Sequence, residues 1–552
     1  MGRFRSRFPV SPRGLPATRG PASGAAGPRT VTGATGPAAG KKAPSLPGPR
    51  AGRGLRSVPL LAAWVLFLLL AGVLAACVTN PATGRRQLLL VDRDREIRLG
   101  REALPGIRSE YGAYDDPALA SWVKTIGGKL AAVTEDPSYP FSFTVLDSPV
   151  VNAFALPGGP VFVTRGLIAH ANSEAELAGV LGHEIGHVEA RHGAEQLSQQ
   201  QLLAVGLGVA GMADPRLGRV RDLLGTAARL LLLSYSRRDE READMLGVRY
   251  MARAGWDPLA FPAFLSVLDR LEQRSGQALP SWLSTHPAPA DRVAVTRQLA
   301  RKIRARKLAR GKTLVRHREI LLERVDGLVF GDDPRQGFLH DGLFRHPGLR
   351  FRVAFPPGWK LLNTNRFVAA LDDPERPSAR LVLELVPPGR ANGLPPAEYV
   401  ARLARRERFL DLDGSSTTVG GFPAWIGFAT VPGREGTPPR PLLLAAIRDG
   451  EHLYRFVGAF AGRRDGDPVR AMERTVRSFA RETDPAVLGV EPVRIHLVAV
   501  PGGRTLAEIC ATIPDLAVPC RDVALLNHVH RKDTVERGSR LKVPLRGCPI
   551  YP

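Results

Sequence analysis

The feature that most constrains this chain is a pair of short polar motifs separated by roughly fifty residues. Residues 183–187 read His-Glu-Ile-Gly-His, and residues 240–244 read Glu-Arg-Glu-Ala-Asp. On an α-helix, the i,i+4 step places the two histidines of the first motif on one face, one turn apart. The same step brings the first glutamate and the aspartate of the second motif together, while the middle glutamate points nearly opposite. A fold that uses both motifs must therefore bring two helices side by side.

These side chains match the chemistry of a catalytic zinc site. Such an ion takes three protein ligands and keeps one position for a water molecule, whose pKa falls to about 7. His183 and His187 are the ligands predicted from the first motif. Glu184 is placed to take a proton from that water and to pass it to the leaving amine. The alternative is an ordinary surface helix that carries two histidines and a glutamate.

The residues before the first motif predict a buried helix that is closely packed. Ser173 and Glu176 form a capping-box pattern at its start, and Ala, Leu and Val dominate the residues that follow. Gly179, Gly182 and Gly186 each weaken such a helix by about 1 kcal/mol. Their recurrence near the motif predicts that another element packs very close to this helix.

Four ordered motifs resemble the gluzincin family of CAAX prenyl proteases and HtpX-type heat-shock proteases. They are residues 152–159, 183–187 and 236–244, and Thr285-His286-Pro287 followed by Arg292. The resemblance covers about residues 77–300 and is nearest to the periplasmic lipoprotein branch, which degrades misassembled outer-membrane proteins. It implies a zinc endopeptidase with one Zn²⁺ per chain.

The resemblance also assigns roles within the second motif. It implies that Glu240 is the third zinc ligand, although Glu242 directly precedes the Ala-Asp pair. Asp244 would then accept the remaining N–H of a ligand imidazole and fix its tautomer. A solvated surface of ion pairs is the alternative for this Arg/Asp/Glu run.

Substrate binding is expected along a strand that follows the Gly-Gly turn. Residues 161–164 read as a β-strand that closes a hairpin with the preceding apolar run. The resemblance implies that an extended substrate adds to the free edge of this strand by backbone hydrogen bonds, which favours unfolded polypeptide. An ordinary hairpin would give the same pattern. The predicted substrate-binding residues are Asn152, Phe154, Val161, Val163 and Arg292.

Other residues near the motifs leave alternatives open. His286 is predicted either to donate a hydrogen bond to the reaction's oxyanion or to occupy the open zinc position as a reversible plug. Arg292 would contact substrate or brace the cleft. His170 and His192 are expected to have no role in the site. His192 lies five residues past His187, about 140° around the helix, and so is expected to face away from the metal.

The N-terminal residues predict export and lipid attachment. Residues 1–57 are rich in Pro, Gly, Ala and Arg, lack acidic residues and cannot bury a core. Residues 58–76 form an apolar run that ends before Cys77 and resembles a bacterial lipoprotein signal, with an uncleaved membrane span as the alternative. Acylated Cys77 would hold the protein on the outer membrane, facing the periplasm. Translation could also start downstream of Met1.

The formal charge of +24 invites a nucleic-acid function, which the sequence argues against. The first 57 residues carry eleven basic and no acidic residues, so the remainder has a net charge of 24 − 11 = +13. No zinc finger, stacking platform or helix-turn-helix pattern accompanies that charge. We therefore expect no nucleic-acid partner, and contact with anionic lipid or cell-wall polymers instead.

The fold class is predicted to be multi-domain. A mainly α-helical zincin metalloprotease domain with a short β-hairpin would precede two smaller domains. The first, an α/β domain, is similar to PsbP/Mog1-like proteins at residues 355–359, and the second resembles a LysM βααβ repeat at 502–509, 525–527 and 538–544. The predicted bounds are 1–57 for the basic extension, 58–76 for the signal peptide, 77–300 for the protease, 301–345 for a linker, 346–485 for the α/β domain and 486–552 for the LysM-like domain.

The last domain departs from the usual LysM wording, because Gly503-Arg504-Thr505 replaces Gly-Asp-Thr. The resemblance implies peptidoglycan as a partner, and a LysM-like domain that does not bind glycan is the alternative. Cys510, Cys520 and Cys548 lie close together in sequence, and any two could pair in an oxidising compartment.

The sequence as a whole predicts a zinc endopeptidase of the cell envelope that cleaves misfolded or stalled envelope proteins. The alternative is an envelope chaperone, scaffold or cell-wall-binding assembly factor whose protease site is normally plugged.

Overall fold

The computed structural model describes residues 77–213, 235–275, 286, 290–374, 377–391, 393–432, 438–500 and 502–546. The predicted basic extension, the predicted signal peptide and Cys548 lie outside the described residues, as do Thr285 and Pro287. The side chain of Cys77 is not described either. Among the helices that the structure describes, none is long and apolar enough to cross a membrane.

The first part of the chain is mainly helical. Its elements are β1 (Cys77–Thr79), β2 (Arg86–Leu88), α1 (Arg93–Tyr111), α2 (Pro117–Ala131), β3 (Ser142–Leu146), β4 (Ala153–Ala155), β5 (Pro160–Thr164), α3 (Arg165–His170), α4 (Glu174–Glu189), α5 (His192–Ala213), α6 (Arg237–Arg253), α7 (Ala260–Ser275), α8 (Ala290–Ala309) and α9 (Arg318–Val325). The predicted hairpin is β4 and β5, and a third strand, β3, pairs with β5 in parallel. The sheet order is β3-β5-β4.

Helix α4 lies at the centre of this part. The Ser173 side chain accepts a hydrogen bond from the Glu176 backbone N–H, as the capping pattern predicts. All of α4 is buried, and its glycines allow α6 to approach closely. A Cβ atom on Gly186 would lie 3.0 Å from the carbonyl oxygen of Ala243, and one on Gly247 would lie 2.9 Å from the backbone nitrogen of His183. The predicted close packing is therefore confirmed.

The middle part of the chain contains both sheets and helices. Its elements are β6 (Phe338–His340), β7 (Leu343–His346), β8 (Phe351–Val353), β9 (Lys360–Asn363), β10 (Phe367–Leu371), β11 (Ala379–Leu385), α10 (Pro388–Ala391), α11 (Pro396–Glu407), β12 (Asp411–Val419), β13 (Phe422–Val431), β14 (Arg440–Asp449), β15 (His452–Phe460), α12 (Asp467–Arg477) and β16 (Ala480–Arg481). One antiparallel sheet has the order β12-β13-β14-β15-β11-β10-β9, and a second has the order β16-β8-β7-β6. This arrangement is an α/β domain in the coarse sense that was predicted.

The predicted linker is wrong for much of its length. Residues 301–345 include the end of α8, all of α9 and the strands β6 and β7 up to residue 345. Leu321 and Val325 of α9 are fully buried in the core that surrounds α4. Polar and basic residues in this segment suggested an exposed connection, but the apolar positions of α9 were sufficient to dock it.

The C-terminal part has the predicted order of strand, two helices and strand. Its elements are α13 (Pro485–Leu488), β17 (Arg494–Ala499), β18 (Arg504–Thr505), α14 (Leu506–Thr512), α15 (Cys520–Leu526), β19 (Thr534–Val535) and β20 (Arg540–Leu545). Strands β17 and β20 are antiparallel neighbours. A disulfide joins Cys510 and Cys520, which answers part of the pairing question that the sequence left open. Likeness to LysM repeats stays a prediction.

Polar contacts join this C-terminal part to the segment around α3. The buried Lys542 donates hydrogen bonds from Nζ to the carbonyl oxygens of Ala169 and Ala171, each at 2.6 Å. His528 Nε2 lies 2.8 Å from the carbonyl oxygen of His170. Burial, together with the nearby Lys542, lowers the pKa of His528 to about 3.

This depressed pKa makes folding sensitive to acid. An imidazole with a pKa near 6.5 when unfolded and about 3 when folded costs no stability above pH 6.5, and destabilises the fold progressively as pH falls below that value. Between pH 7 and pH 5 this difference is about 2 kcal/mol. The variant His528→Gln keeps a donor for the His170 carbonyl but has no group that titrates here. When the pH falls from 7 to 5, we expect the free energy of unfolding to decrease by about 2 kcal/mol less in this variant than in the unmodified chain. Urea denaturation at both pH values measures it, and an identical loss in both chains would contradict it.

Candidate metal centre

Helix α4 presents the first motif inside the protein. His183, Glu184 and His187 are 0%, 0% and 2% exposed. Their burial follows from the position of α4 between α6 and the strands β4 and β5. The Nε2 atoms of His183 and His187 are 3.0 Å apart, as the i,i+4 spacing predicts for two ligands of one ion.

Helix α6 brings its motif to the same place. Ser236 and Asp239 form a capping box at the helix start, which puts Glu240 in the first turn. The Glu240 carboxylate lies 3.5 Å from His183 Nε2 and 3.4 Å from His187 Nε2. Glu240 is 1% exposed, so the predicted choice of Glu240 over Glu242 agrees with the geometry.

The dimensions of this cluster fit a zinc ion. Tetrahedral zinc with bonds of about 2.0–2.2 Å places its donor atoms about 3.3 Å apart. The three separations among His183, His187 and Glu240 are 3.0, 3.4 and 3.5 Å. With His286 these residues form a buried group whose candidate donor atoms all lie within 4.8 Å of one another. Two imidazoles and one carboxylate are also a ligand set that zinc hydrolases use.

Asp244 holds the other side of His183. Its Oδ1 atom accepts a hydrogen bond from His183 Nδ1 at 2.9 Å, which leaves the lone pair of Nε2 directed into the cluster. Arg292 donates to the two oxygens of Asp244 at 2.6 and 2.7 Å, and Thr296 donates to Oδ2 at 3.2 Å. Asp244 therefore stands where the sequence predicted an orienting carboxylate.

Arg292 braces the centre from inside the protein. It is 1% exposed, donates to the carbonyl oxygen of His286 at 3.1 Å, and lies 2.8 Å from Glu240 Oε2. Of the two predicted alternatives, bracing describes these contacts, because every polar partner named here belongs to the cluster. One guanidinium thus balances two buried carboxylates, Glu240 and Asp244.

His286 lies against the carboxylates of Glu240 and Glu184. Its Nδ1 atom is 2.9 Å from Glu240 Oε1 and 3.3 Å from His183 Nε2, and its Nε2 atom is 3.6 Å from Glu184 Oε1. Despite burial, the negative charges of Glu240 and Glu184 raise the pKa of His286.

The pKa values of His187 and Glu240 are shifted toward the protonation states of zinc ligands. Burial lowers the pKa of His187 well below its usual value. Burial alone would raise the pKa of Glu240, but His286 and His187 lower it well below the usual range. Burial likewise opposes the ionisation of Asp244, and Arg292 lowers its pKa. A neutral imidazole and an ionised carboxylate are the forms that bind zinc.

Substrate pairing was predicted on the wrong strand of the hairpin. β5, which contains Val161 and Val163, pairs with β3 on one side and β4 on the other, so it has no free edge. Both valines are 1% exposed. Strand β4 is the neighbour with an outer edge, and it packs against α4. Local sequence predicts the hairpin, whereas the pairing with β3 is a tertiary contact.

Two further predicted substrate residues, Asn152 and Phe154, lie next to and on β4. Phe154 is 8% exposed and stacks on Phe162, with ring centroids 5.0 Å apart. The Asn152 carbonyl oxygen accepts a hydrogen bond from the Thr164 backbone N–H, and the Leu156 N–H donates to the Pro160 carbonyl. In an antiparallel ladder this alternation turns the peptide groups of Ala153 and Ala155 outward, away from β5.

His192 was wrongly predicted to face away from the metal ligands. Helix α4 ends at Glu189, Arg191 has a left-handed φ of 54°, and a new helix, α5, begins at His192. The 140° argument assumed a continuous helix. His192 Nδ1 instead lies 3.0 Å from His187 Nδ1.

Tyr235 was also missed by the sequence reasoning. Its ring stacks on His187, with centroids 3.9 Å apart. Its place directly before the capping serine of α6 was the only sequence signal that could have indicated this contact. His170, by contrast, contacts the carbonyl oxygen of Gly166 at 2.7 Å and the ring of Phe330, and these contacts link it to neither motif.

The buried ligand set on two packed helices defines a zinc-metallopeptidase type of centre. Consistent with it, the model of peptidase family M48 matches residues 117–300. The mitochondrial metalloendopeptidase OMA1 of Schizosaccharomyces pombe is 32% identical over 239 residues, which cover 42% of this chain and 69% of that protein. This chain belongs to peptidase family M48.

Bacterial relatives carry a different name. The beta-barrel assembly-enhancing protease of Escherichia coli K12 is 33% identical over 220 residues, which cover 38% of this chain and 45% of that protein. That of Yersinia pestis is 34% identical over 242 residues, which cover 42% of this chain and 49% of that protein. This chain spans about half the length of these relatives.

Among solved structures, cyanobacterial PsbP from Synechocystis sp. PCC 6803 aligns over 25% of this chain and 91% of that chain. The identity is 12% and the TM-score is 0.21. The likeness to PsbP/Mog1 domains therefore stays a prediction.

Proposed function

We propose that this protein is a zinc-dependent endopeptidase of the cell envelope that cleaves misfolded or stalled envelope proteins. The observation that carries the proposal is the convergence of His183, His187 and Glu240 around one buried point with Glu184 beside it. When bound there, zinc would supply Lewis-acid chemistry by polarising the carbonyl of the scissile peptide. The two histidines and Glu240 would hold the ion.

Glu184 is the proposed acid–base group. It follows the first ligand on α4 and is fully buried, and Oε1 lies 3.6 Å from His286. In this role the carboxylate accepts a proton from the attacking water and delivers it to the nitrogen of the leaving amine. The low solvent exposure strengthens each electrostatic interaction that such a proton transfer uses.

Replacing Glu184 tests the proposal directly. We expect Glu184→Gln to lower the rate of cleavage of unfolded casein by about 10²–10⁴-fold, because the amide cannot accept the proton. Zinc content should remain one ion per chain, and Glu102→Gln on the exposed face of α1 is the matched control. If Glu184→Gln fully restores a deletion strain, the chaperone or scaffold alternative replaces this proposal.

His286 is proposed to be a reversible plug of the zinc site. Its Nδ1 atom stands 3.3 Å from His183 Nε2 and 2.9 Å from Glu240 Oε1, separations like those among the other ligands. A side chain at this spacing fills the fourth ligand position that a substrate carbonyl would need. The residue comes from a short segment before α8 and from neither of the two ligand helices.

Removing the plug should raise activity. We expect His286→Ala to increase casein cleavage severalfold, because the fourth position is then always open. His340→Ala, at an exposed histidine, is the control. A fall of about 10²–10³-fold would instead assign His286 to oxyanion stabilisation, the second role that its position allows.

The substrate is proposed to add to the outer edge of β4. The outward peptide groups of Ala153 and Ala155 can pair with an extended chain along this edge, which would favour unfolded polypeptide. This proposal replaces the edge of β5 that the sequence suggested.

Proline at position 155 tests this edge. Ala155→Pro removes one outward N–H without removing a bond to β5, and edge strands tolerate such prolines. We expect KM for a peptide substrate to rise about tenfold with kcat little changed, since one backbone hydrogen bond to a bound chain is lost. Ala155→Gly keeps the N–H and should retain the original KM. Equal KM values for Ala155→Pro and Ala155→Gly would exclude substrate pairing here.

The envelope location is supported by relatives named beta-barrel assembly-enhancing protease. Those names also support envelope proteins as substrates. Attachment of lipid to Cys77 and peptidoglycan binding by the C-terminal part stay predictions, which mass spectrometry of the mature N-terminus and a pull-down on purified cell wall would check.

A further inference from the structure

The sharp turn after α4 gives His192 a defined position behind the metal centre. Arg191 adopts a left-handed conformation and is anchored by hydrogen bonds from Nε to Glu96 Oε2 at 2.8 Å and from Nη2 to the Val91 carbonyl at 2.9 Å. The helix is therefore interrupted directly after α4, and α5 starts with the His192 ring against His187. Their Nδ1 atoms are 3.0 Å apart, and His192 is 2% exposed.

The other nitrogen of His192 has an acidic partner. Its Nε2 atom lies 3.1 Å from Glu242 Oε2. Glu242 is in turn 3.0 Å from Arg85 Nε, and Arg85 also pairs with Glu195. Glu242 points away from the zinc ligands on α6, but it is connected to the centre through His192.

The hydrogen-bond partners determine where the protons lie. Glu242 can only accept, so His192 carries its proton on Nε2, and its Nδ1 atom then has a lone pair. The neighbouring His187 Nδ1 must donate to that lone pair, because two lone pairs at 3.0 Å would repel. His187 is then left with its own lone pair on Nε2, which faces His183 and Glu240. The Nε2 lone pairs of His183 and His187 also meet at 3.0 Å, and a zinc ion bound between them would remove that repulsion.

We propose that His192 and Glu242 are positioning residues that fix the tautomer and ring orientation of the zinc ligand His187. This inference rests on the proposed zinc site and adds a second orienting device to it. Asp244 serves His183 in the same way, through an anionic oxygen. For His187 the acceptor is the His192 imidazole, and the Glu242 carboxylate lies one residue further out. Orienting partners of this kind change metal affinity by about 10–100-fold.

A second metal ion is the rival explanation for these residues. His192, Asp239 and Glu242 have donor atoms close enough together to hold one. However, Arg85 already supplies a positive charge there, with its guanidinium nitrogens 3.0 Å from Glu242 and 3.9 Å from Asp239.

Two substitutions of nearly equal shape separate orientation from packing. Asn at position 192 places Oδ1 where Nδ1 stands and can accept the bond from His187, whereas Leu cannot accept it. We expect the zinc dissociation constant of the full chain, measured by chelator competition, to rise about 10–100-fold in His192→Leu and about threefold or less in His192→Asn. Asp244→Asn serves as a positive control for a lost orienting group.

The visible absorption spectrum of the cobalt-substituted protein provides a readout that does not depend on activity. It should change in His192→Leu and stay close to the original in His192→Asn. Thermal unfolding of the metal-free variants reports any general loss of packing. Equal zinc affinities in His192→Leu, His192→Asn and the unmodified chain would overturn the inference, as would equal losses in both variants or two ions per chain. Failure of the unmodified chain to bind zinc would instead overturn the proposed function.

Discussion

The centre depends on the contact between two helices at glycine positions. Gly182 and Gly186 of α4 face Gly247 and Ala243 of α6, with no room for larger side chains. This close approach lets side chains from both helices reach one point. The helix loses roughly 1 kcal/mol for each glycine, a cost that close packing of the two buried surfaces offsets.

The same contact buries three carboxylates, whose negative charge the surrounding residues compensate. Glu184, Glu240 and Asp244 are nearly fully buried, and isolated ionised carboxylates are costly in such surroundings. Arg292 pairs with two of them from α8, and His286 lies against Glu184 and Glu240. The carboxylates are thus balanced by charge from a third helix and from the segment before it, so the candidate metal ligands and the groups that brace them share the same few contacts.

How much could be predicted depended on whether a feature was local. The pairing of His183 with His187 follows from i,i+4 geometry and the capping of α4 from its local Ser-x-x-Glu pattern, whereas the choice of Glu240 came from the family resemblance. Each agrees with the structure. Two predictions were wrong: that substrate pairs with the edge of β5, and that residues 301–345 form a linker. Both failed because strand pairing and the docking of α9 depend on distant partners. The predicted orientation of His192 was wrong for another reason: Arg191, which has a left-handed backbone conformation, interrupts the helix that the prediction assumed to continue.

The sequence by itself determined the chemistry of this protein. Two histidines, a glutamate between them and a carboxylate pair at helical spacing specify a zinc hydrolase before any contact is known. Tertiary structure alone decided which strand has an open edge, that Arg292 lies inside the centre and that His192 stands behind His187. The physical reason is that helical periodicity is set by the backbone over a few residues, whereas these contacts arise only when distant segments pack into one core.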